Sequence, residues 1–329
     1  MRRPSGITLL SLAAVSWALA TVTTKVTLEQ LSPIDLLAVE VSVGAGAVWL
    51  AITLRGGAAR AAHRWRSARL GLVEPALTFA LFDIGIDRTG AADAAVLVAA
   101  QSIFTVALSW LVLRERTSAR VGAAVALGFA GVVVVGSDGS GHGATVLGDV
   151  LVLASSAAAA VAAVLARRIG TAGGSDAVTV TAWQLLAAAI ACTPVLGVAA
   201  LAGRSMLGSA DAAHLLAAIA TGLLGSAVPF LLYNTAIRDL NVSVAAVILN
   251  LIPVFGAGLA IVLLGNSLSP VQFAGAAAIV LAALGIDRND GRRGAPSDVP
   301  PAGETDHDAT RRSACAPAAT TALLAERAS

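Results

Sequence analysis

The sequence predicts an all-α integral membrane protein of ten transmembrane helices arranged as two inverted five-helix repeats. Three observations carry this: a low charge content, long uncharged runs, and a register in which the chain repeats itself. Of 329 residues, 57% are hydrophobic and only 13% charged, with a mean hydropathy of +0.82. An ordinary soluble domain is about a quarter charged, so half that charge cannot cover a water-facing surface. Residues 117–137 hold one charge, Arg120, and residues 241–286 hold none. A hydrocarbon core needs roughly 20 apolar residues per helix, so the second run suits two spans joined by a turn at Gly265-Asn266-Ser267. Only helices and closed barrels satisfy every backbone group in lipid, and these continuous Ala/Leu/Val runs lack the alternation of barrel strands.

Ten spans are expected, at 7–28, 34–54, 70–87, 93–113, 119–136, 148–167, 178–202, 213–237, 243–264 and 270–286. The chain thus divides into a cytoplasmic N-terminus at 1–6, a first repeat over 7–136, a second over 148–286, and a tail over 287–329. The tail carries Pro, Gly, Ser and mixed charges without periodicity, a composition that cannot bury a core and predicts disorder. Arg2-Arg3, an apolar run and Ala18-Leu19-Ala20 also resemble a signal peptide. Against that, the apolar run continues past the site, and the repeat needs this segment as a helix.

Orientation follows from the basic residues. With the N-terminus inside, sixteen arginines fall on the cytoplasmic side, the densest group being Arg55, Arg60, Arg64, Arg66 and Arg69. Lys25, Arg88 and Arg204 are left outside. That asymmetry predicts a plasma (inner) membrane protein with both termini cytoplasmic.

A shift of 151 residues lays 71–118 on 222–269 with 13 of 48 positions identical, among them Gly71/Gly222, Phe79/Phe230 and Phe104/Phe255. Asp83 falls on Asn234. A shift of 142 lays Gly6 on Gly148 and Lys25 on Arg167. An odd number of helices per repeat makes the second copy cross the opposite way, as in many secondary transporters.

These segments resemble the drug/metabolite transporter superfamily, in particular proteins with two EamA domains. The resemblance spans about residues 6–286. It rests on Trp17 followed by Lys25, Ser32-Pro33, Ala91 to Leu113, and Arg114-Glu115-Arg116-Thr117-Ser118 in the first half. In the second it rests on Leu147-Gly148-Asp149, Gln184, Tyr233-Asn234-Thr235-Ala236, Asn250-Leu251-Ile252-Pro253-Val254-Phe255 and Leu268-Ser269. The chain departs from the family where Glu40 replaces a usual Arg, where Gly265-Asn266 replaces Gly-Glu, and where Ser102 stands opposite Pro253. The resemblance implies export of small metabolites or amino acids, with no particular substrate indicated.

Intramembrane polar residues usually face a cavity or a partner. Lys25 lies about 5 Å, and Glu40 about 9 Å, below the outer ends of their helices at 1.5 Å per residue. The two either pair structurally or line an outer vestibule. Asp83 and Glu74 are candidates for a coupling proton; the plainer reading pairs Asp83 with Arg88 and Glu74 with Arg69, each near one turn away. Gln101, Asn234 and Asn250 either join helices or line the cavity. Trp17 and Tyr233 are cavity-wall candidates, and Trp17 and Trp110 are placed beside the core. Pro194, Pro229 and Pro253 are candidate kinks. Cys192 and Cys315, and the scattered His63, His142, His214 and His307, form no metal motif.

The expected partners are therefore a small-molecule substrate, protons as a candidate coupling ion, and the lipid bilayer, with no nucleic acid and no cofactor. A homodimer is compatible with the sequence but not indicated by it. A membrane enzyme would need a clustered catalytic set within the spans, and none is visible. A non-transporting adaptor or receptor would need a structured extramembrane domain.

Overall fold

The computed structural model describes residues 5–57, 64–86, 88, 91–114, 118–136, 145–172, 176–264 and 270–284. Among them every regular element is helical, and helical segments overlap each of the expected ranges. The first two are α1 (Gly6–Leu28) and α2 (Pro33–Leu54). α3 runs Arg64–Gly71, then a π-helical turn Leu72–Leu77, then Thr78–Ile86. α4 is Ala91–Leu108 with a π-turn Ser109–Leu113, α5 is Ala119–Gly136, α6 is Val146–Thr171 and α7 is Ala177–Leu201. α8 runs Ala212–Thr221, π-turn Gly222–Ala227, then Val228–Ala236. α9 is Val242–Leu249 and Leu251–Leu264, parted at Asn250, and α10 is Pro270–Leu284. The tail 287–329, the turn 265–269 and residues 115–117 lie outside the described residues, as does all but the last three residues of the loop 137–147.

Polar residues mark where several helices begin. Ser5, Thr145, Asp176 and Asp211 each accept a hydrogen bond from the amide three residues on, and Ser32 with Asp35 forms a capping box ahead of Pro33. Asp211 lies outside the spans. The His214 amide and ring hold its carboxyl at about 2, below the ordinary range.

Four helices, Pro33–Leu54, Val146–Thr171, Ala177–Leu201 and Ala212–Ala236, are long and apolar enough to cross a membrane, and shorter apolar helices accompany them. The interior is filled by small residues: Ala13, Ala14, Ala18, Ala160, Ala162, Ala182 and Ala188 are fully buried. Large apolar residues point outward instead, as at Leu54, Ile190, Leu201, Leu216 and Phe273. An apolar exterior around an alanine-lined interior suits a protein dissolved in lipid, where close helix approach supplies the packing energy. This is a multi-pass membrane protein.

The packing repeats between the halves. α4 lies on α6 as α9 lies on α1, α3 on α6 as α8 on α1, and α3 on α7 as α8 on α2. α2 packs on α7, and α5 on α10. Exchanging α1–α5 for α6–α10 leaves these principal pairs unchanged. The exchange reaches individual residues. Gly71 abuts the backbone carbonyl of Gln184, and Gly222 approaches the backbone carbonyl of Glu40. A shift of 144 residues carries Ser32, Asp35 and Glu40 onto Asp176, Thr179 and Gln184.

Three sequence expectations need correction. α3 begins at Arg64 rather than 70, so a basic amphipathic turn extends it beyond the apolar run. α7 continues through Pro194 as one helix, and Pro229 sits in the first turn after the α8 π-turn, where a missing N–H is tolerated. The strongest departure is at Glu74, whose φ of −140° and ψ of 120° interrupt α3 ahead of Pro75; proline disfavours helical backbone in the residue before it.

Candidate functional site

α1, α3, α7 and α8 meet at an interior patch built from the middle of each. Trp17 on α1 donates its indole N–H to the Gly225 carbonyl at 2.9 Å, and Ser16 donates to Leu224 at 2.7 Å. Both carbonyls belong to the α8 π-turn, whose altered spacing leaves them free to accept. The Trp17 ring stands edge-on to Phe230 and Tyr233, at centroid distances of 5.7 and 6.2 Å, and Phe79 of α3 meets Phe230 at 6.1 Å. These geometries match the quadrupole preference of aromatic pairs.

Beside the aromatics runs a chain of amides. Asn234 on α8 donates to the Gln184 side-chain oxygen at 2.7 Å and to Thr181 at 3.0 Å, both on α7. Gln184 in turn donates to the backbone carbonyl of Glu74 at 2.9 Å. That carbonyl lies at the interruption of α3, so the chain of amides stabilises the broken backbone. Gln184 is 1% exposed and uses both ends of its amide.

A second polar group lies between α2, α3 and α8. Glu40 on α2 is 7% exposed and accepts from the Ser226 hydroxyl at 3.2 Å. Gly225 makes room for it, because a Cβ there would overlap the Glu40 carboxylate. Asp83 on α3 is near enough for its charge to interact with that of Glu40. Asp83 also lines a groove of about 290 Å³ between α2, α3 and α7, otherwise walled by apolar residues such as Leu37, Ala80 and Cys192.

The structure thus brings Trp17, Tyr233, Asn234 and Glu74 together, and places Glu40 and Asp83 alongside. Two expected candidates lie elsewhere. Asn250 sits on α9 against α4, accepting from Ser102 at 2.7 Å, while its amide nitrogen packs over Gly128 with no hydrogen-bond partner. Gln101 is the neighbour of Ser102 on α4 and is half-buried. Trp110 points outward, 67% exposed, rather than into the core. The side chains of Lys25 and Pro253 lie outside the described residues.

The expected pairs Asp83–Arg88 and Glu74–Arg69 do not form among the described residues. Arg88 instead donates to the Ile84 carbonyl at 2.9 Å, satisfying the free end of its own helix. Glu74 lies on the interrupted turn, off the helical spacing that the pairing with Arg69 assumed. Sequence reasoning also missed Thr181, Ser226 and the structural use of Gln184. The i, i+3 spacing of Thr181 and Gln184 within one span was the available signal. Among the described residues no three His, Cys, Asp or Glu side chains converge as a metal site.

A family model described as the EamA-like transporter family matches the chain twice, over residues 4–137 and 146–287. No curated protein matches. A solved structure titled only "Crystal structure of protein" superposes with a TM-score of 0.73 at 20% identity, covering 86% of this chain and 96% of its own. That likeness is one of fold.

Proposed function

The chain belongs to the EamA-like transporter family, and on that premise we propose that it is a secondary transporter exporting a small metabolite or amino acid. It works by alternating access between two inverted five-helix repeats, with all ten helices crossing the inner membrane and both termini cytoplasmic. The observation that carries this reading is the exchange of packing between α1–α5 and α6–α10. Two arrangements of nearly equal energy follow naturally when the halves are built alike, and alternating access needs two such arrangements. The interrupted middles of α3 and α8 supply backbone groups at the depth where substrate sites of inverted-repeat transporters lie. Trp17, Phe79, Phe230 and Tyr233 form the apolar wall of that site, and Glu74, Gln184 and Asn234 its polar side.

Purified protein in liposomes, tested against a panel of amino acids and small polar metabolites, checks the reading. The expected result is protein-dependent movement of a subset of the panel, weakened by Trp17→Ala. Movement no faster than in empty liposomes across the panel would sink it, and would favour a non-transporting adaptor or receptor. Topology is checked separately: reporters at Gly139 and Gly291 are expected on opposite sides of the membrane.

A further inference from the structure

The start of α3 carries positive charge that no acid among the described residues answers. Residues 55–73 hold five arginines and no Asp or Glu, and the nearest acids along the chain are Glu40 and Glu74. Arg64, Arg66 and Arg69 are all exposed, and no carboxylate pairs with them among the described residues. Arg66 and Arg69 stand one turn apart, a spacing at which like charges weaken a helix. The first turn holds Arg64 and Arg66 with no acid beside them, at the end where the helix dipole disfavours cations. Trp65 between them is 70% exposed, with the Arg64 guanidinium 5.5 Å from its ring centre. A tryptophan among arginines at the end of an apolar helix has the composition of a headgroup-level anchor. The other side of the turn is buried: Ser67, Leu70 and Gly71 pack inward, Gly71 against the Gln184 carbonyl of α7. The arginines are therefore presented from a fixed helical face.

That face leads into an apolar groove. Leu72, one turn on from Arg69 and half-exposed, lines the groove of about 290 Å³ between α2, α3 and α7. Ala76, Leu77 and Ala80 continue its α3 wall, with Asp83 only at the far end. The walls from α2 and α7, Leu37 and Val195 among them, carry no charge. From Leu72 to Ala80 is about 12 Å at 1.5 Å per residue. That is most of one leaflet of a hydrocarbon core about 30 Å thick. Cationic rim, then a leaflet's depth of apolar wall, is the complement of a lipid with an anionic headgroup followed by an acyl chain. The bias of arginines towards one side of a membrane accounts for basic residues in this loop. It does not account for their standing at the mouth of an apolar groove.

We propose that the start of α3 and this groove dock one anionic phospholipid, its phosphate against Arg66 and Arg69 and one acyl chain along Leu72, Ala76, Leu77 and Ala80. Guanidinium groups match phosphate oxygens in forked pairs, so two arginines a turn apart hold one headgroup. The bound phosphate relieves the repulsion between them and fixes the start of α3 against α7. A zwitterionic lipid answers less well, because its own cation already offsets the phosphate charge. The inference needs the chain to lie in a bilayer and does not need it to transport, so its failure leaves the proposed function untouched.

The test uses full-length protein in phosphatidylcholine vesicles doped with a phospholipid that carries a photoactivatable diazirine on one acyl chain. The probe is either phosphatidylglycerol or phosphatidylcholine, and the labelled peptides are mapped by mass spectrometry after illumination. Phosphatidylglycerol is expected to label residues 72–80 more than phosphatidylcholine does, by about fivefold for each arginine engaged. Arg66→Gln with Arg69→Gln is expected to bring the two probes level. Arg114→Gln with Arg120→Gln, which removes the same charge elsewhere, is expected to keep the excess. Equal labelling by both probes in the wild type overturns the proposal, as does an excess spread evenly over other exposed apolar positions such as Leu201 and Leu216. A control pair that loses the excess as fully as the test pair also overturns it, since general attraction to the surface would then suffice. If the test pair fails to insert, salt decides on the wild type: the excess is expected to shrink as ionic strength rises, and an unchanged excess overturns the headgroup contact. Inorganic phosphate at millimolar concentration is expected to leave the labelling intact; abolition would mean a site for a free anion and overturn the lipid.

Discussion

The junction of α2 with α3 and the junction of α7 with α8 are two versions of one design. Each also sets its polar side chain against the broken or π-turned middle of a helix from the other half, Glu40 against α8 and Gln184 against α3, with a glycine of that helix packed over its backbone. At α7–α8 the side chains are Gln184 and Asn234, their amides hydrogen-bonded to each other; at α2–α3 they are Glu40 and Asp83, and Glu40 accepts instead from Ser226 of α8. The backbone frame is shared and the chemistry is not. The lesson is that the fold requires polar contact at these depths but not charge, so the charge in the first repeat is free to serve another end.

The sharpest way to break the comparison is at the glycines. Gly71→Ala would drive a methyl into the Gln184 backbone carbonyl. Backbone cannot rotate away as a side chain can, so the helices must part, at a cost of about 3 kcal/mol or more. Its mate Gly222→Ala meets first the side chain of Val43 and should cost less. Thermal unfolding in detergent checks the order: Gly71→Ala below Gly222→Ala below wild type.

A smaller effect is expected at the amide frame. Gln184→Ala removes the partner of Asn234 and of the Glu74 carbonyl together, leaving buried groups unpaired at about 1–3 kcal/mol. Glu40→Gln keeps an acceptor for Ser226 and should be close to neutral in stability. Equal losses for the two would mean that the junctions are not built alike.

The smallest effect concerns the C-terminal end of α1 and the start of α8. Gln30 and Asp211 exchange hydrogen bonds, and Asp211 caps the first turn of α8. Its folded-state value of about 2 lies below the ordinary one, so the stabilisation is complete above the unfolded value and is lost as pH falls through about 2. Amide exchange at His214 and Leu215 should quicken in Asp211→Ala at neutral pH and not in Asp239→Ala.

Much of this architecture was legible before any coordinates. Charge-poor runs marked where the apolar helices lie, since a span must be apolar over a fixed length. The shifts of 151 and 142 found the repeat because small and aromatic residues at helix contacts tolerate little change. The site was less legible. The interruption at Glu74 is stabilised by Gln184, 110 residues away, and no local pattern shows that partner. Asp83 and Arg88 stand near enough along the chain to suggest an ion pair, yet the unsatisfied Ile84 carbonyl takes the guanidinium first. Asn250 and Gln101 read like Asn234 as intramembrane amides. Only packing separates the α4–α9 seam from the patch around Trp17.

The central claim is that the two halves share one frame and cross the membrane in opposite senses. Labelling of matched positions tests it most directly. In a chain with Cys192 and Cys315 replaced by serine, single cysteines are placed at Ser5, where α1 starts, and at Val146, where α6 starts, and challenged in intact cells with a membrane-impermeant maleimide. Labelling at Val146 and not at Ser5 is the predicted result; labelling of both or of neither would put the two starts on one side and contradict the account.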